Sequence, residues 1–193
     1  MTEAMQAQIL EFWFGTIGPE GTVDSAKQSR WWKKSSEFDA LCRKHFEAEL
    51  KGAARGDVLP AMETARGALA FIILCDQFSR NMYRDTPSAF ATDPLALSVT
   101  QKLIETGALS QLLPVEKSFA LMPLMHSEEL SVHEQSIEQF QALKAEGHDT
   151  LDFAVRHQKI IEQFGRYPHR NAILGRVSTP EEVLFLDQPG SSF

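Results

Sequence analysis

Apolar residues recur along this chain at intervals of three and four, the spacing that gathers them on one face of a helix. Met5, Ile9, Phe12 and Trp13 set that pattern for residues 3–14, and Gly15 with Gly18-Pro19 ends it. A polar loop follows to about residue 29. The pattern then predicts a longer helix from about residue 31 to 55, broken at Gly56-Asp57. Residues 61–79 include Leu69, Phe71, Ile72, Ile73 and Leu74 and leave little polar face, which predicts the central helix of the core.

Beyond a turn at Pro87, Asp93-Pro94 offers an N-cap followed by proline at the first helical position, and that helix stops at Gly107. Pro114 opens another through Val115, Phe119 and Leu121, with a kink or restart expected at Pro123. Ser131 with Glu134 predicts a capping box for a helix ending before Gly147. Thr150 caps a helix to Phe164 that Gly165 closes, and Thr179-Pro180-Glu181-Glu182 starts the last one. Val, Ile and Thr never alternate with polar residues over a useful length, so no strand is expected. The prediction is an all-α fold of helix pairs joined by short loops, forming a single domain over residues 1–193.

Composition narrows the function classes. The 193 residues are 43% hydrophobic and 23% charged, enough to build a core. A net charge of −7 argues against non-specific nucleic-acid binding, because such a chain repels a phosphate backbone on average. The longest apolar run, residues 68–75, is too short to span a bilayer, and the start Met-Thr-Glu lacks a basic stretch followed by an apolar one. Cys42 and Cys75 stand far apart with no CxxC spacing, as expected of reduced thiols in a cytoplasmic protein. Neither a phosphate-binding glycine loop nor a cofactor motif is present, so no cofactor is expected.

The chemistry concentrates in two segments. Residues 163–171, Gln-Phe-Gly-Arg-Tyr-Pro-His-Arg-Asn, place two arginines, a histidine and an asparagine where Gly165 and Pro168 forbid regular helix. One cation would satisfy a helix C-terminus; Arg166, His169 and Arg170, followed by Arg176, exceed that need. Guanidinium forks match carboxylate or phosphate, so the segment points to an anion site. The second segment, residues 76–84, has Asp76 and Arg80 four apart on one helical face, with Gln77, Asn81, Tyr83 and Arg84 nearby. It reads equally as a structural network anchoring the loop that follows. The candidate ligand set is Arg80, Asn81, Arg84, His157, Arg166, His169, Arg170 and Asn171, with His126 or Asp76 as acid or base.

Histidine spacing argues against a metal. On one continuous helix His126 and His133 would lie about 10.5 Å apart along the axis, too far to share an ion. No HExxH or ExxH is present. His157 shares a face with Ala154, Ile161 and Phe164 and is expected to point inward. Cys42 and His45 formally resemble a thiolate pair, without further support. Trp31-Trp32 is expected to pack under the neighbouring loop.

These motifs together resemble a known family. Phe12-Trp13-Phe14-Gly15, Trp31-Trp32, Asp76-Gln77-Phe78 with Arg80-Asn81 and Tyr83-Arg84, and Ala89-Phe90-Ala91 with Asp93-Pro94 are similar to those of an uncharacterised bacterial family designated domain of unknown function 924. So are Pro123-Leu124-Met125-His126-Ser127-Glu128, Phe164-Gly165-Arg166 with Pro168-His169-Arg170-Asn171, and Gly175-Arg176 with Ser178-Thr179-Pro180-Glu181-Glu182. The resemblance covers nearly the whole chain and implies stacked antiparallel helix pairs of the tetratricopeptide-like kind, although no short repeat is visible. Ser79 stands where the family pattern has proline, which is expected to loosen that turn. The closing Pro189-Gly190-Ser191-Ser192-Phe193 also resembles the family's ending, with the terminal ring expected to tuck against the body and its carboxylate to meet an arginine. No activity comes with the resemblance. Two classes of partner follow: a small anionic molecule at the Arg/His site, or a peptide or protein held by a helical interaction module.

Overall fold

In a computed structural model of the chain, residues 1–18 and 21–192 are described. The expected stop at Pro19 and the expected tuck of Phe193 lie outside the described residues. Helix α1 (Glu3–Phe14) ends at Gly15, whose φ of 66° only glycine adopts readily. The helix expected from about residue 31 begins only at Ser36, and a separate helix starts inside the stretch expected as a polar loop to about residue 29. Asp24 accepts the amides of Ala26 and Lys27 to start α2 (Ser25–Trp32), and Ser35 accepts from Phe38 to start α3 (Ser36–Arg55). Side-chain caps at Asp24 and Ser35 set the two starts, which apolar periodicity alone does not mark.

The central helix also departs from the expectation. Thr64 caps α4 (Ala65–Ile72), which passes into a π-helical turn (Ile73–Phe78) and then into α5 (Ser79–Met82). Every residue from 67 to 79 is buried, three polar ones among them: Asp76, Gln77 and Ser79. A wider turn frees main-chain carbonyls for side-chain donors. Accordingly Thr92 Oγ1 donates to the Cys75 carbonyl at 2.6 Å, and Arg80 donates to the Asp76 carbonyl at 2.8 Å. The Ser79 hydroxyl lies 2.7 Å from the Cys75 carbonyl and 3.0 Å from that of Ala89. It fastens the turn to the loop that follows.

Helix α6 (Asp93–Glu105) is capped by Thr92 without a side-chain bond. Asp93, the expected cap, spends its carboxylate elsewhere. Helix α7 (Pro114–His126) runs through Pro123 and is buried from Val115 to Met125. The chain then breaks at residues 127–129, so α8 (Leu130–Ala145) is a separate helix. The expected Ser131–Glu134 box is not formed; the turn is held instead by the Glu129 amide donating to Ser127 Oγ. Helix α9 (Leu151–Phe164) ends at Gly165 in the left-handed region, and α10 (Pro180–Leu186) begins with the expected capping box of Thr179 and Glu182.

No strand occurs among the described residues. Helices α6 to α9 each pack on the next, and α1, α3 and α6 surround the α4–α5 unit. This all-helical succession is compatible with stacked pairs. Its core is aromatic: Phe78 lies 4.7 Å from the Phe46 ring, 5.6 Å from Phe12 and 5.7 Å from Trp13. Trp31 packs at 4.7 Å on Phe119, whereas Trp32 is 65% exposed, against expectation, because α2 ends there and leaves it facing outward on Phe153. Cys42 is buried, with its thiol pushed up to about 12 by burial and then by Asp39, so the Cys42–His45 pair has no nucleophilic character. Phe78→Ala is expected to cost about 3–5 kcal/mol, because it leaves a cavity among rings of α1 and α3. Urea unfolding should show a lower midpoint with an unchanged slope.

Candidate functional site

The π-helical turn rotates Asp76 into the protein, where its side chain is fully buried. His126, the last residue of α7, donates from Nδ1 to Asp76 Oδ1 at 2.7 Å, and Gln77 Nε2 donates to Oδ2 at 2.6 Å. Arg80 Nη1 lies 3.1 Å from the same carboxylate. The Arg80 guanidinium then grips Asp93, at the start of α6, with both prongs at 2.8 and 2.9 Å. Arg170 arrives from the far end of the sequence. Its guanidinium carbon stands 4.6 Å from the ring centres of both Phe90 and Tyr167, and its nearest carboxylate oxygen, on Asp93, is 3.7 Å away. Its buried Nε has no hydrogen-bond partner among the described residues.

Histidines and a tyrosine complete the surroundings. His157 on α9 donates from Nδ1 to the Phe153 carbonyl at 2.7 Å and has its ring centre 6.3 Å from that of His126. His133 donates from Nε2 to the Ser127 carbonyl at 2.8 Å. The Tyr167 hydroxyl donates to the Met125 carbonyl, and the Tyr167 and His169 rings are 5.4 Å apart. The centre is not sealed: the side chains of Arg80, Asp93 and His126 are 21, 18 and 16% exposed.

Burial by itself would raise the Asp76 carboxyl, but the Arg80 guanidinium and then His126 outweigh it and hold the group well below the usual carboxylate range. Burial followed by repulsion from Arg80 lowers His126, despite its bond to Asp76. The pair therefore rests as carboxylate and neutral imidazole near neutral pH. Burial pushes His157 down to about 3 and His169 down to about 4, with His126 and Arg170 respectively adding to the effect. Burial, then repulsion from Arg80, lowers Arg170, against the pull of Asp93 and Glu128.

The expected site residues thus separate into three groups. Asp76, Arg80, His126, His157, His169 and Arg170 come together. Arg84 and Asn81 instead face α3: Arg84 holds Asp39 with two bonds of 2.9 and 2.8 Å, and Asn81 donates to it at 2.9 Å. Arg166 and Asn171 belong to the α10 junction, where Arg166 grips Glu182 at 2.6 and 2.8 Å and Asn171 donates to the same carboxylate at 3.1 Å. A shallow cleft of about 450 Å³ opens there between Phe164, Arg166 and Thr179. Glu181 and Glu182 on its wall make it a poor seat for an anion. No group of His, Cys, Asp and Glu able to hold a metal occurs among the described residues.

Asp93, Phe90, Tyr167 and Gln77 complete the centre without having been singled out as ligand contacts. Asp93-Pro94 carries a helix-start signal that conceals an ion-pair role, while Phe90 and Tyr167 look like ordinary core aromatics. Glu128 is a further tie: it accepts the Tyr167 amide at 2.8 Å and pairs with Arg176 at 2.6 and 2.9 Å.

An all-helical fold with a buried Asp–His pair crossed by two arginines defines the class of protein. The chain belongs to the family described as bacterial protein of unknown function (DUF924), which it matches over residues 9–190. It is similar to a solved structure, a protein of unknown function from Agrobacterium tumefaciens, at 32% identity with a TM-score of 0.84, covering 98% of this chain and 100% of that one. No curated protein matches it.

The Arg166–Glu182 junction has a pH signature. Hydrogen bonding from Arg166 is the main cause holding Glu182 down at about 2, assisted by the Thr179 amide and Asn171. A carboxyl depressed on folding stabilises above its unfolded value of about 4.3 and loses that contribution as pH falls toward 2. Arg166→Ala should therefore lower the melting temperature at pH 7 by roughly 3–6 °C and flatten its fall between about pH 4.5 and 2. Thermal unfolding across pH tests both; an unchanged acid limb would show that Glu182 is held by its other donors.

Proposed function

We propose that the centre formed by Asp76, Arg80, His126 and Arg170 binds a small molecule carrying a carboxylate or phosphate, with His126 placed to exchange a proton with it. The observation that carries this reading is Arg170. A buried guanidinium normally sits in a bidentate pair, and here even the half-buried Arg84, Arg166 and Arg176 do so. Among the described residues Arg170 has only a 3.7 Å approach to a carboxylate that Arg80 already occupies, and its Nε has no hydrogen-bond partner. An incoming oxyanion would supply what is missing. Phe90 and Tyr167 hold the plane of the guanidinium on two sides, so its orientation is set before a ligand arrives.

His126 adds a chemical capability to recognition. Its Nδ1–H is fixed by the buried Asp76 carboxylate, which selects the tautomer with an unprotonated Nε2. That nitrogen makes no hydrogen bond to any described residue. It is therefore a base oriented by an acid, the arrangement general acid–base chemistry requires.

A second reading, docking of a peptide or protein partner, is favoured by a different surface. Trp32 lies parallel to Phe153, itself 46% exposed, with Arg156 at 4.7 Å from the Phe153 ring. Arg30, Lys33 and Lys34 stand beside this pair in sequence, and none of the four cations has a carboxylate partner among the described residues. On a chain of net charge −7 this basic, aromatic ridge suits an acidic peptide.

A thermal-shift series with small carboxylates and phosphates tests the first reading. A ligand at 100 times its Kd should raise stability by about 2.7 kcal/mol. Arg170→Lys, which keeps the charge but loses the fork, should weaken binding roughly tenfold. Arg166→Ala should lower the baseline and leave the ligand shift intact, and Trp32→Ala should change neither. Loss of the shift in Arg166→Ala, with retention in Arg170→Lys, would place the anion at the α10 junction and overturn the proposal.

A further inference from the structure

We propose that the chain pairs with a second copy of itself, the aromatic, basic ridge of each copy seating on the acidic, apolar α10 segment of the other. This rests on the reading of the Trp32–Phe153 ridge as a docking surface and goes beyond it by naming the occupant.

The two surfaces are complementary in kind. Residues 30–34 and 152–156 hold four cations, Arg30, Lys33, Lys34 and Arg156, against one carboxylate, Asp152. Residues 181–187 hold three carboxylates and no cation. Glu182 is turned inward to Arg166, which leaves Glu181 and Asp187 on the outside. Between these two acids Val183 and Leu184 are 50 and 67% exposed. The free face of a solvated helix carries polar residues, whereas α10 shows an apolar strip rimmed by acids. The ridge is its counterpart, an apolar strip rimmed by bases, with the Trp32 and Phe153 rings parallel and 6.4 Å apart. Two copies of net charge −7 repel on average, so they associate only where opposite signs meet. The ridge set against α10 meets that condition.

Shape agrees with charge. The cleft of about 450 Å³ beside α10 is lined by Gln163 and Phe164 of α9 and by Thr179, Glu181 and Glu182. An acidic wall with an aromatic ring disfavours an anion but suits a protruding indole flanked by lysines. Arg166 also borders the cleft, with its charge matched by Glu182.

The placement of the two surfaces on α9 lets both contacts form at once. Phe153, in the first turn of α9, packs on Trp32, and Phe164, at its end, packs on Phe185 of α10 with ring centres 5.0 Å apart. Eleven residues of helical rise separate them by about 16 Å. A two-fold axis across α9 runs the two copies of this helix antiparallel and sets each ridge on the other copy's α10. The exposed Arg156 near one end and Glu162 near the other then face their opposites. Every ridge and every α10 is occupied, so association stops at two. Small patches with hydrated charges at the rim make a weak pair, with a Kd on the order of 100 µM. Dilute protein is therefore monomeric.

Sedimentation equilibrium of the full chain, over a concentration series spanning that value, provides the test. The average mass should rise from one chain to two and no further, and about 0.5 M NaCl should weaken the pair roughly tenfold. Lys33→Glu combined with Arg156→Glu should abolish pairing, as should Glu181→Lys combined with Asp187→Lys. All four positions are exposed, so the melting temperature of dilute protein should change little. An equimolar mixture of the two double variants should pair again, because each reversed ridge meets a reversed α10. Mixing mends no folding defect, so recovery reports the contact itself. A chain that stays monomeric at every concentration overturns the inference. A labelled peptide of alternating Glu and Leu separates that failure from failure of the ridge reading. If the monomer binds it and the Lys33→Glu, Arg156→Glu variant does not, the ridge remains a docking surface for another protein; if the monomer ignores it, both fall. Dimers that survive either double variant, or double variants that stay apart when mixed, would place the interface elsewhere and equally overturn the pairing.

Discussion

Arg80 is the point on which the rest of the structure depends. Its guanidinium touches the Asp76 carboxylate and carbonyl within its own segment and grips Asp93 at the head of α6. Through Asp76 it is coupled to His126 at the end of α7, and through Asp93 to Arg170 in the C-terminal turn. Segments separated by up to 94 positions in sequence (76 and 170) thereby share one charge network. Removing one member of such a buried network typically costs about 3–5 kcal/mol, because the charge left behind has no water to turn to. The network is consequently a condition for the fold as well as a candidate site, and ligand contact and structural support act through the same atoms.

The remaining arginine clips have a simpler logic. Arg84 with Asp39 fastens α5 to α3, Arg176 with Glu128 fastens the final segment to the loop before α8, and Arg166 with Glu182 secures α10. Each is a two-pronged pair whose donors and acceptors are matched. Their partners lie 16 to 48 positions away, so they act as cross-links between elements that apolar packing alone joins weakly. The second, small cluster of Ile160, Ile161 and Tyr167 illustrates the need: outside the main core, polar ties supplement limited apolar burial. Among the described residues Arg170 has no such match, and that difference separates it from these three.

Helix punctuation was legible in the chain because it is written in local chemistry. Gly15, Gly107 and Gly165 adopt positive φ where the helices stop, and Thr179 with Glu182 forms the box that its spacing announces. The π-helical turn was not legible: one extra residue per turn leaves no compositional trace in an apolar run such as Ile73-Leu74-Cys75. Nor could spacing assign partners among the arginines. Residues 163–171 read as one anion patch, yet Arg166 and Arg170 point to opposite tasks, since the turn at Pro168 sends one toward Glu182 and the other toward Asp93. The histidines illustrate the same limit. A continuous helix would have put His126 and His133 on one stripe, whereas the break at residues 127–129 sends His126 to Asp76 and His133 to the Ser127 carbonyl.

The break after His126 and the π-helical turn before Arg80 are complementary distortions. Without the first, the His126 ring would be one of a row on a helix surface; with it, the residue sits at a helix end beside the buried carboxylate. Without the second, the Asp76 carbonyl would be committed to the helical ladder, and Arg80 could not hold it at 2.8 Å while reaching Asp93. Two departures from ideal helix geometry, neither needed to close the hydrophobic core, meet at a single carboxylate. Regular helices would bury the same rings at less cost in buried charge. What the irregular ones add is a neutral imidazole oriented by an ionised acid, next to a guanidinium without a bidentate carboxylate among the described residues. It is on that combination that the proposed anion site rests, and the same atoms tie the helices together.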